Sequence, residues 1–175
     1  MANGIYTKEV MKYFKHPRNM GRIENADGFG KVGNLICGDL MQLYIKVVKN
    51  KKGQAIIKNI KFETFGCVAA IATSSMITTL VKGKTLEEAL KVTKQDIVKS
   101  LGSLPQIKLH CSVLAADALS EAVYDYLKKN KLPISKELEE RHKRITKDTE
   151  EIEGRYKDYI KMERKIWNVG DKKSK

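Results

Sequence analysis

Three cysteines, each in its own setting and far apart along the chain, constrain this sequence more than any other feature: Cys37 in Cys-Gly-Asp, Cys67 in Phe-Gly-Cys and Cys111 in Leu-His-Cys-Ser. An odd number of thiols cannot close into a full disulfide set, and a reducing compartment would keep them as thiols. Taken singly, each reads as a small buried core residue, since cysteine is among the most buried types. Taken together they read as metal ligands. A fold that gives them a shared centre must bring positions 37, 67 and 111 to one place.

The pattern along the chain supplies helix starts at two of them. Thr7 to Phe14 carries Val10, Met11 and Phe14 at helical spacing, with Pro17 placed to end the helix. A glycine-punctuated loop follows. Leu40 to Val48 alternates around Leu43, Ile45 and Val47, Asn50 to Gly53 makes a turn, and Ala55 to Phe65 resumes with Ile56, Ile60 and Phe62, which reads as an antiparallel hairpin. From Val68 to Val81 the residues are apolar or small, so a buried helix begins close to Cys67. Thr85 with Glu88, and Thr93 with Asp96, each pair a hydroxyl with an acid three residues on, the signature of a capped helix start. Leu104 to Lys108 reads as an extended linker because of Pro105, and Ser112 to Lys129 returns to helical periodicity through Leu114, Ala118, Ala122 and Tyr126. Cys111 therefore also lies at a helix start.

Thiolates are favoured at helix N-termini and beside cations. Cys111 has His110 as its neighbour and Lys108 close by, and Asp39 follows Cys37 across a single glycine that permits close backbone approach. The candidate ligands are thus Cys37, Asp39, Cys67, His110 and Cys111, five for a centre that normally takes four. A structural zinc site is closed by four fixed ligands, whereas a fifth lets one leave as another replaces it. Soft thiolates favour zinc, copper(I) or iron–sulfur centres, with Asp39 the harder and more weakly held ligand, so Asp39 is expected to keep a bound cluster transferable.

Charge and length bound the remainder. At 175 residues the chain suits one domain with an appendage, divided here as 1–130 and a charged, helical extension over 131–175. In that extension Leu138, Ile145, Ile152, Tyr159 and Ile166 recur every seven residues, while the companion positions His142, Thr149, Tyr156 and Glu163 are mostly polar, half of a coiled-coil seam. It fits a long helix lying on the domain, a dimer contact or a solvated extension. The net charge of +13 is spread along the chain, and neither Lys49, Lys51 and Lys52 nor Lys128, Lys129 and Lys131 is interleaved with aromatics, which argues against a nucleic-acid partner. Met1 to Tyr13 holds Lys8 and Lys12 with no apolar run behind them, and no segment approaches a membrane span, so the expected location is the cytoplasm.

The segments His16 to Gly21, Val32 to Met41, Phe65 to Ser75, Gly83 to Leu90 and Leu104 to Ser112 together resemble the IscU/NifU-type iron–sulfur cluster scaffold family, in that family's order, over roughly residues 4–129. The resemblance implies an α+β fold with a small antiparallel, three-stranded sheet packed with helices. It implies a scaffold and sulfur acceptor, not a turnover enzyme. Such a protein takes persulfide sulfur from a cysteine desulfurase, combines it with iron into a [2Fe-2S] cluster using a ferredoxin-like electron donor, and passes the cluster to apo-proteins; a homodimer contact is part of the expectation. Cys37, Asp39, Cys67, His110 and Cys111 match the family's ligand positions, Cys111 its persulfide acceptor and Tyr6 an N-terminal tyrosine linked to persulfide reduction or dimer contact; Lys108 is retained. Gln106 stands where a second proline is usual in the segment a dedicated Hsp70-type chaperone recognises, which argues against that partner. Val68-Ala69 replaces a usual Gly-Ser pair, and the extra domains of long NifU proteins are not expected. The alternative within the superfamily is a SufU-like, zinc-dependent sulfur acceptor that stimulates its desulfurase; His110 favours the scaffold branch, although zinc suits the same ligands.

Overall fold

The computed structural model describes residues 5–33 and 38–166. Helix α1 (Lys8–Lys15) is capped by the Thr7 hydroxyl, which accepts from the Val10 N–H and donates to the Leu101 carbonyl at 2.6 Å, so the cap also ties the N-terminus to the body. The chain then forms β1 (Gly28–Gly33) within the stretch expected to be loop. That strand has a weak sequence signal, Gly-Phe-Gly-Lys-Val-Gly, because its glycines serve packing instead of sheet propensity. A Cβ on Gly28 or Gly30 would fall 2.2 Å from the carbonyl oxygens of Ala122 or Ala118, so only glycine lets β1 lie this close to the later helix α5.

The hairpin expected from residue 40 onward is present as β2 (Leu40–Lys49) and β3 (Ala55–Phe65), giving a three-stranded antiparallel sheet in the order β1-β2-β3. One feature differs from the alternation read in the sequence: Ile57, not Ile56, is fully buried. The cause is a register shift at Lys46/Val47, where Lys46 opposes Asn59 and Val47 opposes Ile57. The extra residue, Lys58, is exposed and switches the inward phase, so Ile57 on one side and Ile60 and Phe62 on the other all reach the core.

Helix α2 (Val68–Val81) and helix α5 (His110–Lys129) pack against one another and against the sheet, together with Met41, Leu43 and Ile45 of β2. Helix α2 buries hydroxyl residues as well as apolar ones, and its geometry satisfies them: Thr73 and Ser74 donate to the carbonyls of Ala69 and Ala70 one turn back, and Ser75 bonds the Arg18 backbone. The two hydroxyl–acid pairs form full capping boxes at α3 (Leu86–Leu90) and α4 (Lys94–Ser100). The linker read as extended is so at Pro105 but not beyond it; Gln106–Lys108 turn as a 3-10 helix that leads into α5.

Helix α6 (Lys136–Ile166) follows, with Leu138 and Ile145 buried against the body. The polar companions of the heptad are not a defect of that face. His142 sits 2.8 Å from Glu121 and stacks on Tyr124 with ring centroids 3.8 Å apart, and Thr149 accepts from the Gly33 N–H. Ile152, Tyr156, Tyr159, Glu163 and Ile166 have side chains outside the described residues. Among those described, no helix is long and apolar enough to cross a membrane.

Candidate metal and sulfur centre

Three ends of structure meet at one corner. Asp39 sits immediately before β2, Cys67 is the N-cap residue of α2, and His110 and Cys111 are the first two residues of α5. Both helices aim their N-terminal dipoles at the same place, which favours thiolate and carboxylate there. The Thr73 hydroxyl links the two helices, sharing its one proton between the Ala69 carbonyl of its own helix at 2.8 Å and the Cys111 carbonyl of α5 at 3.1 Å.

The donor atoms of Asp39, His110 and Cys111 lie within 4.8 Å of one another, and the sulfurs of Cys67 and Cys111 are 3.9 Å apart. That separation is far beyond the ~2.05 Å of a disulfide, so the pair is two thiols facing a common point. Asp39 Oδ2 and His110 Nε2 are both buried with no hydrogen-bond partner among the described residues. Buried polar atoms are nearly always paired, so two orphans converging with two thiols mark these groups as a candidate ligand set. The donors fit a soft or borderline metal, or an iron–sulfur cluster.

Two glycines make room for this arrangement. Gly38 has φ +71°, in the left-handed region, between Cys37 and Asp39. At Gly66 a Cβ would come within 2.9 Å of the Asp39 Cγ, so the residue before Cys67 leaves the space the carboxylate occupies. The role of Gly66 is not evident from composition or periodicity; its one sequence signal is a glycine directly before a candidate ligand in Phe-Gly-Cys. Thr73 has no such signal, because its role depends on how α2 crosses α5.

Lys108 and Tyr6 border the site. The Cys67 charge, aided by a hydrogen bond from the ammonium to that sulfur and by the charges of Tyr6 and Cys111, holds Lys108 above its ordinary pKa. Lys108 therefore answers first to Cys67, where its place in the sequence had suggested Cys111. The Tyr6 hydroxyl is pushed up by burial first and by the negative charge of Cys67 and Cys111, against an opposing pull from Lys108. Of the residues expected at the site, Tyr6, Asp39, Cys67, Lys108, His110 and Cys111 are brought together; Cys37 lies outside the described residues.

A three-stranded antiparallel sheet backed by two helices, with thiols, a carboxylate and an imidazole gathered where those helices begin, defines an α+β protein built around a thiol-rich centre. The chain belongs to the NifU-like N terminal domain family, whose model matches residues 5–133. It is similar to the iron-sulfur cluster assembly scaffold protein IscU 1 of Archaeoglobus fulgidus, 53% identical over 146 residues that take in 79% of this chain and 92% of that relative. The iron-sulfur cluster assembly scaffold protein IscU of Aquifex aeolicus is 46% identical over 124 residues, 71% of this chain and 77% of the relative. Among solved structures, a putative iron-sulfur cluster assembly scaffold protein for the SUF system from Fervidobacterium islandicum superposes with a TM-score of 0.57 at 25% identity, over 70% of this chain and 99% of that one.

Proposed function

We propose that this protein is a cytoplasmic scaffold on which a [2Fe-2S] cluster is built from iron and desulfurase-derived sulfur and then handed to apo-proteins. The observation that carries the reading is the convergence of Asp39, Cys67, His110 and Cys111 with two buried, unpartnered donor atoms. Cys37 completes the set of five, and the cluster is cargo, held by ligands that trade places.

In this scheme the Cys111 thiolate attacks the outer sulfur of the desulfurase persulfide. The sulfur–sulfur bond of the donor breaks, its cysteine leaves as thiolate, and Cys111 becomes the persulfide. Two electrons from a ferredoxin-like donor and one proton then release hydrogen sulfide and restore the Cys111 thiolate. Lys108 offsets the negative charge that accumulates beside Cys67, and Tyr6 closes the site on the side of the N-terminus. The chain itself turns over no substrate. Residues 131–175 form an extension to the scaffold domain of residues 1–130.

Anaerobic incubation with iron, cysteine and a desulfurase tests the proposal: visible absorption from a bound cluster should appear and should move to an apo-ferredoxin. The likeness to a SUF-system structure, with three thiolates and Asp or His as a tetrahedral zinc set, supports a second reading, a zinc-bound sulfur acceptor. That protein would accelerate the desulfurase while building no cluster.

A further inference from the structure

Helix α6 packs on β1, the strand whose last residue is registered opposite the residue that follows Asp39. Strand β1 is the outermost strand, so its backbone groups facing away from β2 need partners from elsewhere. At the last residue of the strand that partner is Thr149 of α6, whose hydroxyl accepts from the buried Gly33 N–H at 3.2 Å. One turn further along α6, Glu153 pairs with Lys31 of the same strand. One turn earlier lies the buried Ile145, and before it Arg141 binds Asp117 at 2.7 Å and His142 meets Glu121 at 2.8 Å. These contacts fall on one face of α6, at spacings of three and four residues.

What Thr149 holds is one end of the frame that sets Asp39. Gly33 is registered opposite Leu40, and the chain between them ends in Asp39. The Asp39 side chain packs directly on Gly66, where an added Cβ would lie 2.9 Å from its Cγ, so a displacement of the β1–β2 frame would shift the carboxylate relative to the other donors.

We infer that Thr149 is a positioning residue for the metal centre: by fixing Gly33 it fixes the β1–β2 frame, and through that frame the Asp39 carboxylate. The extension is then part of the apparatus that sets how firmly the site holds what it binds. The inference rests on the scaffold reading for its biological meaning, but its physical content concerns only the ligand frame.

The test uses the full chain and cobalt(II) alone as probe, whose visible spectrum reports ligand geometry. Thr149→Val keeps the shape and removes the acceptor; Thr149→Ser keeps the acceptor. Thr149→Val should weaken cobalt binding about tenfold, the low end of the loss seen when an outer hydrogen-bond partner is removed, and alter the cobalt spectrum. In metal-free protein it should speed hydrogen exchange at Gly33 and over residues 38–41 while leaving the centre of α2 as protected as before. Thr149→Ser should restore both. If Thr149→Val does not fold, Glu153→Gln, which weakens the next contact along the same strand, should show the same changes to a smaller degree. Unchanged exchange and cobalt affinity, equal loss of protection throughout the molecule, or a serine variant that behaves like valine would each overturn the assignment. The exchange arm needs no cluster, so a chain that shows the local loosening but assembles nothing sinks the scaffold reading and leaves this one standing.

Discussion

The molecule places a carboxylate beside an imidazole twice, and uses the pair differently each time. At the candidate metal centre Asp39 and His110 present buried atoms with no partner among the described residues, with the Cys111 sulfur within 4.8 Å of their donor atoms. Between α5 and α6, Glu121 and His142 meet each other at 2.8 Å, with Tyr124 stacked on the ring and Arg141 and Arg144 engaging Asp117 one helical turn away. The second pair closes an interface. The first is held apart from satisfaction, which costs stability and leaves donors ready for a ligand. Residue type alone does not separate a binding site from a clasp: Glu121 and His142 spend an atom each on one another, whereas Asp39 and His110 each keep a buried atom unpartnered among the described residues. Even the clasp is imperfect, since Glu121 Oε1 is buried without a partner among the described residues and burial, outweighing the pull of His142, holds this carboxyl above its usual range.

The comparison breaks most visibly at sulfur. Cys111→Ser should abolish transferable persulfide on the protein, measured by labelling after incubation with desulfurase; label persisting on Cys37 or Cys67 would reassign the acceptor. Next in size, Glu121→Ala should destabilise the full chain by about 2 kcal/mol in denaturant titration, less than the 3–5 of a fully buried pair because His142 is partly exposed. The contrast predicts the opposite sign at the other pair: Asp39→Ala should stabilise the metal-free protein by about 1 kcal/mol, the relief of one unpartnered buried acceptor. The same variant should lose its cluster to apo-ferredoxin more slowly than wild type, and equal or faster loss would mean that Asp39 does not confer lability. Smallest is Arg144→Ala, which should change stability by less than about 0.5 kcal/mol, since that contact is exposed and long at 3.5 Å.

Much of this was legible from residue order because the informative signals are local. The Thr85 and Thr93 capping boxes, the Asn50 to Gly53 turn and the helix starting after Cys67 each depend on neighbours within a few positions, and each is present as read. Strand β1 was hidden because its glycines answer to α5, about ninety residues away. Ile57 took the place expected of Ile56 because a bulge shifts phase without leaving a mark on the hydrophobic pattern. At the site, donor types and helix starts pointed to Asp39, Cys67, His110 and Cys111 as one set, whereas the pairing of Lys108 with Cys67 and the brace from Thr73 arise from tertiary geometry. The polar half of the α6 heptad looked like a weak seam for the same reason: His142 and Thr149 have their partners on α5 and β1.

Gly66 carries a consequence of its own. The seat of the Asp39 carboxylate is shaped by a missing side chain, so a methyl there would press on the Asp39 Cγ and the Ala70 Cβ at 2.9 Å and displace one of them while every donor remained in the sequence. An inventory of ligands would count such a chain as competent. Competence in this protein is a matter of volume before it is a matter of chemistry.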